Sequence, residues 1–290
     1  MQKLKPYLRW VILGVTLFFL INTVKNHWQE VTQIDLESLK WDYLAIALLI
    51  TFLANGWSAW VWSWILSAFN QPLLGLKAIR VYLITNIAKY LPGNVWHFYG
   101  RIKAIVNAGG TATVASVVVL LDPLLMAAAA LLMAIFSGIG TIWLQVLSLI
   151  VVLIGIHPLI LNRVIHYLSR LKGNPTSVGL KSYPWLLLLG EWLFVWLRGM
   201  GFIGVVMAFM NISISQIPYL LSVFSLAWLL GLVVPGAPGG LGVFEATAVA
   251  SLNPTQFPPG IVLAIVAVYR LISILAEAIA AGLALIRIKS

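Results

Sequence analysis

From Thr111 to Ser137 the chain carries a single charged residue, Asp122. A run so long and so apolar crosses a bilayer as an α-helix, because backbone N–H and C=O groups must pair internally where there is no water. Similar runs lie at 7–24, 42–69, 139–160, 184–210 and 260–286. Of the 290 residues 61% are hydrophobic and 9% charged, where soluble domains carry about 25% charged residues. The runs do not alternate apolar and polar positions, which argues against an outer-membrane barrel. The expected fold class is an all-α polytopic membrane protein with about six full spans, a single transmembrane domain over 1–290. The opening MQKLKPYLRW, followed by VILGVTLFFLINTV, has no small-residue cleavage site and reads as an uncleaved first span.

Two further apolar stretches are interrupted. One, 78–107, breaks at Pro92-Gly93; the other, 218–254, breaks between Pro235 and Gly240. Each half is about 12–17 residues, short for a span but able to reach mid-bilayer at about 1.5 Å per residue. They are expected to be re-entrant hairpins.

Loop charge orients the segments. The formal net charge is +10, and its Lys and Arg lie mostly in loops, as the positive-inside rule requires; nucleic acid is not implied. Lys3, Lys5 and Arg9 place the N-terminus inside. Loop 25–42 is acidic, with Glu30, Asp35, Glu37 and Asp42, and falls outside. Lys77, Arg80, the loop 161–183 and the tail Arg287-Ile288-Lys289 fall inside. Eight full spans would also leave both termini inside, but would carry Arg101 and Lys103 towards the outer face. The chain has no cysteine, so it has no disulfide framework, thiol chemistry or Cys-based metal site.

The order span, span, hairpin, span then occurs twice. Three spans per half is an odd number, so the second half must be upside down: an inverted repeat of 7–137 and 139–288, at an offset of roughly 140–146 residues. YLPGNVWHFYGR parallels GAPGGLGVFEAT, with Pro92 over Pro238 and Gly93 over Gly239. Matched breaks in two halves point to a shared central site. The helices resuming near Val95 and Leu241 would present free N–H groups there, with Asn94 as an N-cap. The alternative is that the breaks are packing kinks.

Ionisable residues inside membrane segments are functional candidates. Lys89, His97 and Arg101 belong to the first hairpin, and Glu245 to the second; Asp122, Glu191, Arg198, Arg270 and Glu277 lie in spans. His97 and Arg101 are four apart and share a helix face. The first hairpin is therefore basic and suits a phosphate. The alternatives are a structural His97 and an Arg101 that snorkels to the interface. Glu191 and Arg198 are seven apart, as are Arg270 and Glu277, so each finds its partner on another helix. An Asp122–Arg pair is expected, and Glu245 is expected to pair with Arg198 or Arg270, as gate or as structural glue.

The segment PGAPGGLGVFEA, Pro235 to Ala246, resembles the P-G-G-x-G-x-x-E signature of the lysylphosphatidylglycerol synthase/flippase transmembrane family. KYLPGNVWHFYGR, Lys89 to Arg101, is similar to that family's first-half motif, a Pro-Gly break with an Arg about nine residues on. The resemblance implies a domain that moves lipids between leaflets, in some relatives beside glycosyltransferases that use lipid-linked sugars. It marks Arg101, Pro238, Gly239, Gly240, Gly242 and Glu245 as functional positions, beside Lys89, Pro92, Gly93, Asn94 and His97 from the first break. Many relatives have an acidic residue before the first-half Arg, where this chain reads His97-Phe98-Tyr99-Gly100. The lysyl-transfer domain has no counterpart here, so the chain is not expected to make lysylphosphatidylglycerol.

The expectation is thus a lipid translocase of a bacterial or archaeal cytoplasmic membrane, with membrane lipids as partners, both termini cytoplasmic and no cofactor. Its substrate would be an anionic phospholipid, a glycolipid or a polyprenyl-phosphate-linked lipid. Asp122, Glu191, Arg198, Arg270 and Glu277 would gate it or carry a coupling proton. A homo-oligomer, and a non-catalytic subunit beside a glycosyltransferase or envelope synthase, stay open. An intramembrane enzyme is disfavoured: there is no His-Glu-x-x-His, no Gly-x-Ser-x-Gly and no Walker A sequence.

Overall fold

The computed structural model describes residues 39–91, 94–135, 142–171, 178–234, 238–240 and 242–286. The expected first span 7–24 and the pair Pro92-Gly93 lie outside them. The described residues form ten α-helices and no strand, and the chain is an all-α polytopic membrane protein.

Four helices match expected spans within a few residues: α1 (Trp41–Ala68), α4 (Ala112–Ala134), α7 (Trp185–Phe209) and α10 (Pro259–Leu285), each long and apolar enough to cross. Between them lie the two interrupted segments. The first is α2 (Gly75–Asn86), a 3-10 turn Ile87–Tyr90, and α3 (Trp96–Asn107). The second is α8 (Ile217–Val233), a 3-10 turn Pro238–Gly240, and the short α9 (Val243–Ser251).

The long helices pack by close approach of small residues. A methyl group on Gly201 of α7 would stand 2.5 Å from the Thr51 hydroxyl of α1, and one on Gly204 3.1 Å from Cβ of Ala47. Apolar attraction between helices vanishes in lipid, so such tight packing is what holds them together. Helix α4 is the most enclosed of the candidate spans. Ser222 of α8 donates to the Met133 carbonyl of α4 at 2.8 Å. Pro123, inside α4 and next to Asp122, cannot donate to the Val119 carbonyl, which loosens the helix at that point.

Two contacts fix which ends lie together. Arg80 of α2 donates to the carbonyls of Ala284 (2.9 Å) and Ile286 (3.3 Å), at the end of α10. Lys40, ahead of α1, donates to Asn211, just past α7, at 2.7 Å.

The sequence reading needs three corrections. The segment expected as a span at 139–160 followed by a loop at 161–183 is a bent pair, α5 (Ile142–Gly155) and α6 (Pro158–Leu171), meeting at 56°. Pro158 has no N–H to continue α5 and sits well in the first turn of a new helix. Leu161, Ile165 and Ser169 form the buried face of α6, while Arg163 and Arg170 are exposed; the charges that suggested a loop belong to the outer face of an amphipathic helix. Secondly, α8 and its leading turn form a 20-residue helical run, Ile214–Val233, long enough to cross alone, where a half-span was expected. Ser213 and Gln216 close a capping box ahead of it. Thirdly, Asn94 is not an N-cap. It has φ +51°, and the N-cap position of α3 is Val95, which offers no side-chain cap.

Candidate functional site

The two breaks touch. Tyr90 ends the first 3-10 turn, and Gly239 lies in the second. Gly239 and Gly240 have φ +58° and +72°, a region that strains any residue with a Cβ. Gly240 also presses on Gly231 of α8: a methyl group there would lie 2.9 Å from its Cα.

The four cations near the breaks divide among three carboxylates, Asp122, Glu245 and Glu277. Arg101 of α3 donates from Nη1 to Asp122 of α4 at 2.9 Å, and both side chains are 2% exposed. Its guanidinium lies 3.6 Å from the ring centre of Tyr82 and donates to Asn86 at 3.3 Å. One arginine thereby joins both limbs of the first hairpin to the next span.

Arg270 of α10 holds the second break. Its Nε donates to Glu245 at 2.8 Å, and Nη1 and Nη2 donate to the Gly239 and Gly240 carbonyls at 2.7 and 2.8 Å. The other Glu245 oxygen accepts the Gly242 N–H, capping α9. Of the two expected partners, the carboxylate takes Arg270, and the arrangement is a clamp on bent backbone.

Glu277 of α10 serves two cations through one oxygen. Lys89 Nζ is 2.7 Å away, and Arg198 Nη1 of α7 is 3.7 Å away. Arg198 Nη2 donates to Ser273 at 3.3 Å, while Nε and Nη1 have no hydrogen bond.

These groups surround a cavity of about 500 Å³. Lys89, Arg198 and Arg270 line it, with Asn94, His97, Gly239 and Gly240. Among the described residues no carboxylate lines it. Asp122 and Glu277 instead line a smaller space of about 90 Å³ that shares Lys89, His97 and Arg198 with the first. Leu120 and Leu124 of α4 and Val233 of α8 also border the large cavity and are exposed, 54%, 40% and 61%. The cavity therefore has a cationic interior and an apolar rim.

Some expected residues sit apart. Glu191 is fully buried, and neither of its oxygens has a hydrogen-bond partner. It lines neither space, nor do Gly242 and Glu245. Pro92 and Gly93 lie outside the described residues, and Pro238 is placed only as backbone of the 3-10 turn. The aromatic residues were not anticipated. Tyr90, Tyr269 and Phe244 line the cavity, and Lys89 stands over Tyr90 at 5.3 Å, Arg198 over Tyr269 at 5.5 Å and Arg270 over Phe244 at 5.1 Å. Such rings stabilise desolvated cations. The available signal was adjacency: Tyr90 follows Lys89, Tyr269 precedes Arg270, and Phe244 precedes Glu245. Compared with known proteins, the chain matches no family model, and no curated protein matches it in sequence.

Proposed function

We propose that the chain is a lipid translocase of the cytoplasmic membrane. It moves an anionic phospholipid, a glycolipid or a polyprenyl-phosphate-linked lipid between leaflets and changes no covalent bond. The observation that carries this reading is the composition of the large cavity: Lys89, Arg198 and Arg270 line its interior, while exposed Leu120, Leu124 and Val233 border it. A lipid has matching parts. Its phosphate suits the cations, and its chains can stay against the apolar rim between α4 and α8, in the bilayer. On this reading the two helix–break–helix segments are the equivalent parts of an inverted repeat, meeting at Tyr90 and Gly239. The chain's resemblance to the lysylphosphatidylglycerol synthase/flippase transmembrane family supports the same reading.

Purified protein in liposomes, with labelled lipid and a leaflet-selective quencher, tests it. The expected result is faster loss of protected fluorescence with wild-type protein than with protein-free liposomes or an Arg198→Ala variant. Rates equal to protein-free liposomes for anionic phospholipid, glycolipid and polyprenyl-phosphate lipid would overturn it. The chain would then be a non-transporting subunit of an envelope synthase.

A further inference from the structure

Four cations stand around the two breaks, Arg101 and Arg198 buried, Lys89 and Arg270 partly exposed, and three of them have a carboxylate oxygen within 3 Å. Arg101 has Asp122 at 2.9 Å, Arg270 has Glu245 and two carbonyls, and Lys89 has Glu277 at 2.7 Å. Arg198 is different. Its side chain is 7% exposed, its Nε and Nη1 make no hydrogen bond, and its nearest carboxylate oxygen, 3.7 Å away, is the one Lys89 holds. A guanidinium offers five donors in a fixed fork, and leaving them unmet in a buried site is unfavourable. Arg198 nevertheless faces space, since it lines both the large cavity and its smaller neighbour.

Resting on the translocase reading, we infer that Arg198 is the phosphate receptor of this cavity and that its ligand is a lipid bearing one phosphodiester monoanion. Charge balance carries the argument. Arg101 with Asp122, and Arg270 with Glu245, are neutral pairs. Lys89 and Arg198 together face a single carboxylate, Glu277, which leaves one positive charge over. Glu191 lines neither space and does not alter this count. A phosphodiester brings one negative charge and two unesterified oxygens, a match for a guanidinium whose present partners are only Ser273 at 3.3 Å and a shared Glu277 oxygen at 3.7 Å. A phosphomonoester or pyrophosphate brings further negative charge with no free cation to meet it. A headgroup ammonium, whether of a zwitterionic phospholipid or of an aminoacyl group, would enter a lining with three cations and no carboxylate among the described residues. That repulsion selects against it even where its phosphate fits. The cavity of about 500 Å³ also has room beyond the phosphate for a small uncharged headgroup, beside Asn94 and Tyr90.

The test is binding, measured apart from transport. Short-chain probes are added to purified wild-type protein in a non-ionic detergent: dihexanoyl phosphatidylglycerol, dihexanoyl phosphatidylcholine, dihexanoyl phosphatidic acid, a short polyprenyl-phosphoryl sugar and inorganic phosphate. At least one of the two phosphodiester monoanions should bind about tenfold or more tighter than phosphatidylcholine and phosphatidic acid, and the stronger of them identifies the acyl or isoprenoid source. Arg198→Lys, which keeps the charge and loses the fork, should weaken that binding by about tenfold while the melting temperature stays near wild type. Glu277→Gln should shift preference towards phosphatidic acid, because it leaves a second cation over. Equal binding of phosphatidylcholine, tighter binding of phosphatidic acid by the wild type, inorganic phosphate binding as tightly as either lipid, or an Arg198→Lys variant with unchanged affinity would each overturn the inference. Selective binding without translocation would leave it standing and sink the translocase reading. Equal translocation of phosphatidylcholine would do the reverse.

Discussion

Tyr90, the last residue of the first 3-10 turn, rests on the backbone of Gly239 in the second: a methyl group on that glycine would stand 2.7 Å from Cε1 of the ring. The two interruptions of the chain are therefore one contact. Each supplies what the other lacks, a large flat side chain on one side and a backbone without a Cβ on the other.

Gly239→Ala should be damaging for two reasons, the contact with Tyr90 and the strain of φ +58°, the latter alone about 1–2 kcal/mol. The expected outcome is a lower melting temperature and slower lipid movement. Adding Tyr90→Ala should recover part of the stability but not the strain component. A double variant no more stable than Gly239→Ala would show that the contact does not matter.

Arg270→Lys keeps a charge near Glu245 but cannot also serve the Gly239 and Gly240 carbonyls. It should lose about 1–3 kcal/mol of stability, the range for a buried polar group left without its hydrogen bond. Glu245→Gln should lower stability and transport together, because the carboxylate holds both Arg270 and the Gly242 N–H. Thermal melting run beside the liposome assay separates the cases. A Glu245→Gln protein of wild-type stability without transport would make Glu245 a gate.

The Arg101–Asp122 pair calls for a double-mutant cycle. Either residue replaced alone by Leu leaves a buried charge unpaired, at about 3–5 kcal/mol. Replacing both should be less destabilising than either single change. Additive losses would mean that the two residues stabilise the fold independently.

Glu191 makes the opposite forecast. Its buried oxygens accept no hydrogen bond, so Glu191→Leu relieves an unmet polar group, worth about 1–3 kcal/mol. The variant should melt at or above the wild-type temperature. A marked fall would reveal a partner for this carboxylate in the folded protein.

Accessibility labelling checks the ends of the helices. The chain has no cysteine, so single Cys residues report cleanly. Positions Lys77 and Lys181 should label from the cytoplasmic side, and Asn211 and Thr255 from the other. Labelling of Thr255 with Lys77 would place both ends of α10 on one side.

The spans were legible because bilayer thickness imposes a length on apolar runs, and α1, α4, α7 and α10 obey it closely. The breaks were legible because Pro and Gly interrupt helices wherever they lie. Partner choice was harder. Asp122 was expected to meet an arginine, but only packing decides that it is Arg101 and not one on a later span. The sharing of Glu277 by Lys89 and Arg198 joins residues far apart in sequence, beyond the reach of spacing rules. Helix α6 was missed because Arg163 and Arg170 resemble loop charges until the apolar spacing of Leu161 and Ile165 is weighed against them.

The ion pairs also set an order of assembly. Arg101 and Asp122 are 21 residues apart and Glu245 and Arg270 are 25 apart, so each pair closes within one stretch of chain as it leaves the ribosome. Lys89 and Glu277 are separated by 188. During synthesis Lys89, and later Arg198, enter the chain before their counter-charge, which arrives with α10. A fragment ending before Glu277 would hold both local pairs yet carry two unneutralised cations at its centre. The central cavity is thereby complete only once α10 has been made.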